Sequence, residues 1–187
     1  LLNSIYLQYP IGTFFFWIAP DKYKDFIRTT EDLNINQSQT NGETQFILDG
    51  QQRILSLYMA LHGLKNDNGN YAQICFNPAA ESFRIPRRKT EKYAIPAWKI
   101  FNEDAFNEVS EQLKKDSDRI YNNWQKVRQN ILDYPVSVVK TLNYELDEVV
   151  EIFERINQGG KRLSSFDLVH ATTWSVDFDM KAKIEEF

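Results

Sequence analysis

A short apolar strand that runs directly into a helix is the sequence feature that most constrains this fold. Phe46-Ile-Leu48 forms an apolar run, and Asp49-Gly50 interrupts it. Apolar residues then recur at the spacing of one helical face, which predicts a helix starting near Asp49. These residues are Ile54, Leu57, Tyr58 and Leu61. The segment therefore predicts a buried strand followed by a helix, with any chemistry located at their junction.

The first turn of that helix has the composition of an anion site. The first N–H groups of a helix lack intrahelical partners and carry partial positive charge. Gly50 lets a phosphate approach the backbone, while Gln51 and Gln52 add amide donors. Arg53 can bind a phosphate through two parallel hydrogen bonds. Asp49 would hold Mg²⁺ or orient an attacking water. A structural alternative remains open, because Asp49 and Gln52 also match a capping box.

A second segment of similar character lies much later in the chain, at the end of a predicted helix. It contains Asn157, Gly159, Gly160 and Lys161. Paired glycines permit the positive φ values that turn successive N–H groups inward as an anion-binding nest, and the lysine adds charge. An ordinary glycine helix end is the alternative interpretation. We expect this segment to border the same cleft as the segment that ends at Arg53.

Both segments carry a family resemblance. Asp49-Gly-Gln-Gln-Arg53, followed by Ile54-Leu-Ser-Leu57, resembles the DGQQR motif of the GmrSD-type N-terminal domain. This family occurs in prokaryotic modification-dependent restriction systems and is related to the ParB/sulfiredoxin-like fold. Residues Ile152 to Ser164, followed by Asp167-Leu168, resemble its later F-E-R-x-N-x-G-G-x-x-L-S stretch. The resemblance extends from the opening helix to about Trp174, with the two motifs in the family's order.

The resemblance implies binding and hydrolysis of a nucleoside triphosphate, coupled to recognition and cleavage of modified foreign DNA in phage defence. We expect catalytic roles for Asp49, Gln52 and Arg53, with Mg²⁺ as a cofactor. The nuclease chemistry of such systems commonly belongs to a separate His-Asn-His-type domain or subunit, whose motif is absent from this sequence. Members usually begin with a Gln-Arg and aromatic segment, whereas this chain starts at Leu1 inside a predicted helix and ends inside a helical pattern. We therefore expect a fragment.

The predicted fold class is α+β, a small mixed β-sheet of ParB/sulfiredoxin-like type surrounded by helices. We expect one domain over residues 1–187, with an α/β part at about 1–100 and 134–175 and a helical insertion at about 101–133. Neither a G-x-x-x-x-G-K-[ST] loop nor a G-x-G-x-x-G element is present, so the two common nucleotide folds are not competitors.

Residue patterns predict several further strands. Thr13–Ile18 is aromatic and favours a strand, and Val136–Leu142 returns to a strand after the helical segment. Tyr71–Phe76 and Ser82–Ile85 form a predicted hairpin, joined by a turn at residues 77–80. Together with the strand before Asp49, these segments supply the sheet.

A cluster of basic residues offers a second kind of site. Its members are Arg84, Arg87, Arg88, Lys89 and Lys92. They can neutralise phosphates of a nucleic acid, and the nearby Tyr93 and Trp98 can stack on bases. A solvated surface loop is the alternative. Two further functions therefore stay open: a non-hydrolysing module that binds modified DNA, and a structural or partner-docking domain.

Composition excludes other classes of protein. The net charge of −4 gives no global attraction to DNA or to anionic lipid. The longest strongly apolar run, Thr13 to Ala19, is too short to span a bilayer, and Cys75 has no second cysteine for an internal disulfide. Two separated histidines and one cysteine make no zinc site. We expect a cytoplasmic protein without a membrane partner.

Overall fold

The computed structural model describes residues 1–20, 22–23, 44–66, 69–88 and 91–157. The chain divides into two compact units. Unit 1 comprises Leu1–Gly12 and Gln51–Val136, and unit 2 comprises Thr13–Gly50 and Ser137–Phe187. The helices are α1 (Leu2–Tyr6), α2 (Gln51–His62), α3 (Glu103–Asp116), α4 (Asp118–Leu132) and α5 (Leu146–Asn157). The strands are β1 (Thr13–Ala19), β2 (Thr44–Asp49), β3 (Lys65–Asn66), β4 (Gly69–Asn70), β5 (Cys75–Asn77), β6 (Ser82–Arg84), β7 (Ile95–Pro96) and β8 (Ser137–Leu142). The predicted mixed α+β class is confirmed.

Unit 2 contains a three-stranded mixed sheet in the order β2-β1-β8. The central strand β1 pairs antiparallel with β2 and parallel with β8. Trp17 of β1 is buried against Val149 of α5, with Phe46 and Leu48 of β2 packed around them. The Trp17 indole Nε1 also donates a hydrogen bond to the Tyr144 carbonyl oxygen at 3.2 Å. This tryptophan therefore joins the sheet, the helix and the segment that precedes the helix.

The prediction that Phe46–Leu48 is a buried strand is wrong in its degree of burial. β2 ends the described sheet on one side, and these three residues are half-buried. The buried centre is β1, where Phe14, Trp17 and Ile18 are all less than a tenth exposed. A run of apolar residues without alternation indicates a strand but does not fix its position in a sheet, because position depends on pairing with distant segments. The strands predicted near Thr13–Ile18 and Val136–Leu142 are confirmed as β1 and β8.

Unit 1 has a core assembled from helices and a small antiparallel sheet. Four residues of this core are essentially inaccessible to solvent. They are Tyr6 of α1, Phe76 of β5, Ile100 before α3, and Trp124 of α4. The α3 and α4 helices contribute to this same core, since the Phe106 and Trp124 rings stack at 5.1 Å. The helical segment predicted between about 101 and 133 is thus present as α3 and α4, and it packs on the β5–β6 hairpin through Trp124 and Phe76.

The predicted hairpin is confirmed in its second half. Strands β5 and β6 pair antiparallel, and the Asn77 side-chain oxygen accepts hydrogen bonds from the N–H groups of Ala79 and Ala80 in the turn. The expected strand from Tyr71 is wrong at its start, because Tyr71–Gln73 forms a 3-10 turn. The Asn70 side chain accepts the Ala72 N–H at 3.1 Å, so this local capping bond outweighs the strand preference.

The end of α2 follows its sequence signal. Gly63 has a φ of +63°, and the Leu64 N–H donates to the Met59 carbonyl oxygen at 2.9 Å. This is the left-handed glycine end of a helix. Among the described helices, none is long and apolar enough to cross a membrane.

Candidate functional site

The junction between β2 and α2 is a tight turn at Gly50. This residue has a φ of +98°, and α2 begins at the next residue. A Cβ at Gly50 would lie 2.4 Å from the Cδ1 atom of Phe14. Glycine is therefore required here by the backbone conformation and by the packing of the Phe14 ring, in addition to any role in phosphate approach.

Asp49 is the last residue of β2 and lies opposite Phe15 of β1. The register of the β1–β2 pair shifts between Phe15 and Phe16, directly beside this position. Such irregularities re-aim side chains and occur often next to active sites. Asp49 is half-buried. The carboxylate therefore stands where the regular strand pairing ends and the turn to α2 begins.

The first turn of α2 presents two polar side chains to solvent. Gln51 and Gln52 are exposed, and the first turn contains no acidic residue that would neutralise the positive end of the helix. The predicted donors thus have the accessibility that a ligand requires. Of the two compact units, Asp49 and Gly50 belong to unit 2, whereas Gln51, Gln52 and Arg53 belong to unit 1.

Arg53 has a structural partner that sequence analysis missed. Its Nη1 donates a hydrogen bond to the Ile11 carbonyl oxygen at 2.8 Å. The adjacent Gly12 has a φ of +90°, and a Cβ there would lie 2.4 Å from the same Nη1. Arg53 consequently holds the segment after α1 against the start of α2, and Gly12 leaves the room for it.

Among the described residues, a Mg²⁺ site would have to be shared between the protein and a bound ligand. No group of three or more His, Cys, Asp or Glu side chains in the described part of the chain is placed to hold a metal ion. Mg²⁺ is commonly held by one or two carboxylates together with substrate phosphates. The single carboxylate of Asp49 would suffice only if a bound nucleotide supplied the other ligands, and the Mg²⁺ site therefore stays a prediction.

The second anion segment lies at the limit of the described residues. Asn157 is the last residue of α5, whereas Gly159, Gly160 and Lys161 lie outside the described ranges. The expectation that this segment shares a cleft with residues 50–53 therefore stays a prediction.

The basic cluster divides into paired and exposed residues. Arg84 pairs with Glu91, and Lys92 Nζ lies 3.3 Å from Asp116 Oδ2. Hydrogen bonding to Tyr93 and to Asp116 raises the pKa of Lys92.

Two other members of the cluster are differently placed. Arg87 and Arg88 are exposed, with no carboxylate within ion-pair distance among the described residues. Lys89 lies outside the described ranges. The cluster is thus not one uniform cationic surface.

Comparison with known proteins decides the family. Residues 1–174 match the family model described as "GmrSD restriction endonuclease, N-terminal domain". The chain belongs to this family. The chain is also similar to an uncharacterized protein of Methanocaldococcus jannaschii, with 27% identity over 235 aligned residues that cover all of this chain. The chain spans 40% of the length of that relative.

Family membership confirms the resemblance drawn from the two motifs and makes this chain a restriction-system domain. The match to the GmrSD N-terminal domain includes the Asp49–Arg53 segment, the basic cluster and the second glycine segment. Sequence analysis missed the residues that hold the first segment in place: Ile11, Gly12 and Phe14. The available signal was the Pro10-Ile-Gly12 turn, whose glycine suits a positive φ but whose partner is set by the fold.

Proposed function

We propose that this GmrSD N-terminal domain binds a nucleoside triphosphate at the Asp49–Arg53 segment. The strand-to-helix turn at Gly50 is the observation that supports the proposal. It leads directly into the exposed first turn of a 12-residue helix, where Gln51 and Gln52 carry the donors. Backbone N–H groups and the helix dipole favour a phosphate at such a position.

The proposed roles follow from the chemistry of each side chain. Asp49 would hold Mg²⁺ together with the phosphates, or would orient the attacking water. Gln51 and Gln52 donate to phosphate oxygens, and Arg53 stabilises the charge of the transferring phosphoryl group. The Ile11 carbonyl oxygen positions the guanidinium for this purpose.

The wider assignment is part of the same proposal. We place the mixed sheet of unit 2 in the ParB/sulfiredoxin-like fold, and we assign Asn157, Gly159, Gly160 and Lys161 to a second phosphate-binding element. Hydrolysis would then couple nucleotide binding to restriction of modified DNA. A His-Asn-His-type nuclease domain or subunit would supply cleavage, in the cytoplasm.

A thermal-shift screen of the four nucleoside triphosphates, with and without Mg²⁺, tests binding. A ligand present at 100 times its dissociation constant stabilises the folded state by about 2.7 kcal/mol. We expect one nucleotide or more to raise the melting temperature. If none does so at millimolar concentration, the triphosphate site is ruled out, and a DNA-binding module and a structural or partner-docking domain remain as alternatives.

Asp49→Asn separates a structural role from a catalytic one. Asparagine has nearly the same size as aspartate and keeps one side-chain oxygen acceptor, so the melting temperature should change little. The loss of the carboxylate should abolish hydrolysis, measured as phosphate release. Undiminished turnover in the purified variant would remove Asp49 from the mechanism.

A second candidate function is that of a DNA-binding module that hydrolyses nothing. Arg87 and Arg88 favour it, because they are exposed and distinct from the ion-paired Arg84 and Lys92. Arg87→Ala combined with Arg88→Ala should weaken binding of a DNA probe and reduce its salt dependence. Lys115→Ala, at an exposed position of α3, is the matched control. A salt-independent probe shift, or equal losses in both proteins, would contradict this function.

A further inference from the structure

Unit 1 contains a cavity between the segment that includes β7 and the α3 helix. Its volume is about 350 Å³, within the usual range for small-molecule sites. Ile95, Val109 and Leu113 form the apolar part of its lining, and Lys99 and Gln112 contribute polar groups. The cavity thus combines a surface for an apolar ring with a few hydrogen-bonding groups.

The charges around the cavity favour an anion. Asp116 also lines it, but this carboxylate accepts a hydrogen bond from the Tyr93 hydroxyl and pairs with Lys92. Lys99 makes no ion pair within the described residues, and its Nζ lies 5.7 Å from the centre of the Trp98 ring. The acidic group of the lining is therefore neutralised by protein partners, whereas the lysine can pair with a ligand.

Tyr93, at the margin of the cavity, has an uncommon backbone conformation. Its φ is +63°, and a bulky residue in this region has a strained backbone. The hydrogen bond to Asp116 holds the side chain, and Lys92 Nζ lies 4.5 Å from the ring centre. Strain of this kind clusters at ligand clamps, where it places a side chain that the relaxed backbone would not.

Gln112 offers hydrogen-bonding groups to a ligand in the cavity. Its amide offers both a donor and an acceptor to one planar edge, and its contact to Glu108 within α3 is long at 3.4 Å. A flat ring with a hydrogen-bonding edge would lie against Ile95 and Leu113. An attached anion would reach Lys99.

We propose that this cavity binds one nucleoside monophosphate unit, either as a free nucleotide or as one nucleotide of a DNA strand. The base packs on Ile95 and Leu113 with its edge toward Gln112, and the phosphate pairs with Lys99. This site is separate from the triphosphate site proposed at Asp49–Arg53 and does not rest on it.

Calorimetric titration of the full chain with the four deoxynucleoside monophosphates and with a short single-stranded oligonucleotide tests the proposal. Lys99→Ala removes a charge-assisted bond and should weaken binding about tenfold or more. Lys115→Ala, an equal charge change at an exposed position of α3, should leave it within about twofold. Gln112→Trp fills the cavity from an exposed position and should abolish binding, while Asn107→Trp on the same helix should not.

Each outcome separates the alternatives. Binding of the free monophosphates that is lost in Gln112→Trp assigns the cavity to a free nucleotide. Binding of the oligonucleotide alone, with the same sensitivity, assigns it to DNA. Absence of saturable binding of either, or equal losses in Gln112→Trp and Asn107→Trp, overturns the proposal. Binding that is lost in Gln52→Ala but kept in Gln112→Trp would place the ligand at the Asp49–Arg53 segment and would also overturn it.

Discussion

The two units of this chain differ in how much of their structure is formed by neighbouring segments. In unit 1, α3 and α4 are separated by the single residue Ser117, and β5 and β6 by a short turn, although Tyr6 of α1 joins the same core from far away in the sequence. In unit 2, β1 pairs with β8 in a register that places Phe15 opposite Val139. Neighbouring segments can find each other through local signals, whereas the sheet of unit 2 requires strands far apart in the sequence. Within the Asp49–Arg53 segment, also called the DGQQR segment, the chain passes from unit 2 to unit 1.

The largest expected effects come from deleting one buried tryptophan ring in the core of each unit. Trp124→Ala deletes a fully buried ring that stacks on Phe106 in unit 1, and Trp17→Ala deletes the buried ring at the centre of the unit 2 cluster. Each should cost about 3–5 kcal/mol of unfolding free energy. Hydrogen exchange should show lost protection in α3 and α4 for the first variant and in β1 and β8 for the second. Identical patterns in both variants would show that the units unfold together.

This difference in range explains how much of the fold the sequence predicts. The helical spacing of Phe106, Val109 and Leu113 predicts α3 and its buried face together, and both are observed. The apolar run at Phe46 predicts a strand but not its place beside β1. Its half-buried position depends on its pairing with β1, which no pattern within the segment itself reveals.

The candidate site shows the same limit. The sequence singles out Asp49 to Arg53 because their residue types suit a phosphate, and this assignment stays a prediction. It does not reveal that Arg53 bonds to Ile11 or that Phe14 packs on Gly50. Both are tertiary contacts, and the residue patterns around Ile11 and Phe14 do not reveal which residues they contact.

A smaller effect is expected at Gly50, the last residue of unit 2 before α2. Gly50→Ala places a Cβ against Phe14 and forces alanine to a φ of +98°. The backbone strain alone should cost about 1–3 kcal/mol of unfolding free energy. Gly69→Ala is the matched control, because a Cβ at Gly69 meets nothing within 4 Å. Equal urea midpoints for the two variants would contradict the tight turn described here.

The smallest effect concerns acid stability in unit 1. Glu81 accepts a hydrogen bond from the Tyr6 hydroxyl at 2.5 Å and one from Lys126 Nζ at 3.2 Å. The hydrogen bond from Tyr6 lowers the pKa of Glu81 the most, and the bond from Lys126 lowers it further. Because its folded-state pKa lies below the unfolded value, Glu81 stabilises the fold above about pH 4.3 and loses this contribution as pH falls through the folded-state pKa.

Glu81→Gln should therefore make the unfolding free energy less dependent on pH on the acid side, measured by urea denaturation at a series of pH values. Glu81 is partly exposed, with 39% of its side-chain surface accessible, so solvent screening keeps the change small. Glu111→Gln, at an exposed position of α3, is the control for removal of one carboxylate. An unchanged pH dependence in Glu81→Gln would contradict the role of the Tyr6 bond.

Calorimetric titration of a nucleoside triphosphate with Mg²⁺ into Gln52→Ala tests the central claim most directly. Gln52 is exposed in the first turn of α2, so its replacement should leave the melting temperature unchanged while it removes a phosphate donor. Loss of one hydrogen bond to a charged group should weaken binding by about 1.5–3 kcal/mol. Gln73→Ala, another exposed glutamine of unit 1, should bind as the unmodified protein does. Equal affinity in Gln52→Ala and Gln73→Ala, or no binding by the unmodified protein, would contradict a triphosphate site at the DGQQR segment.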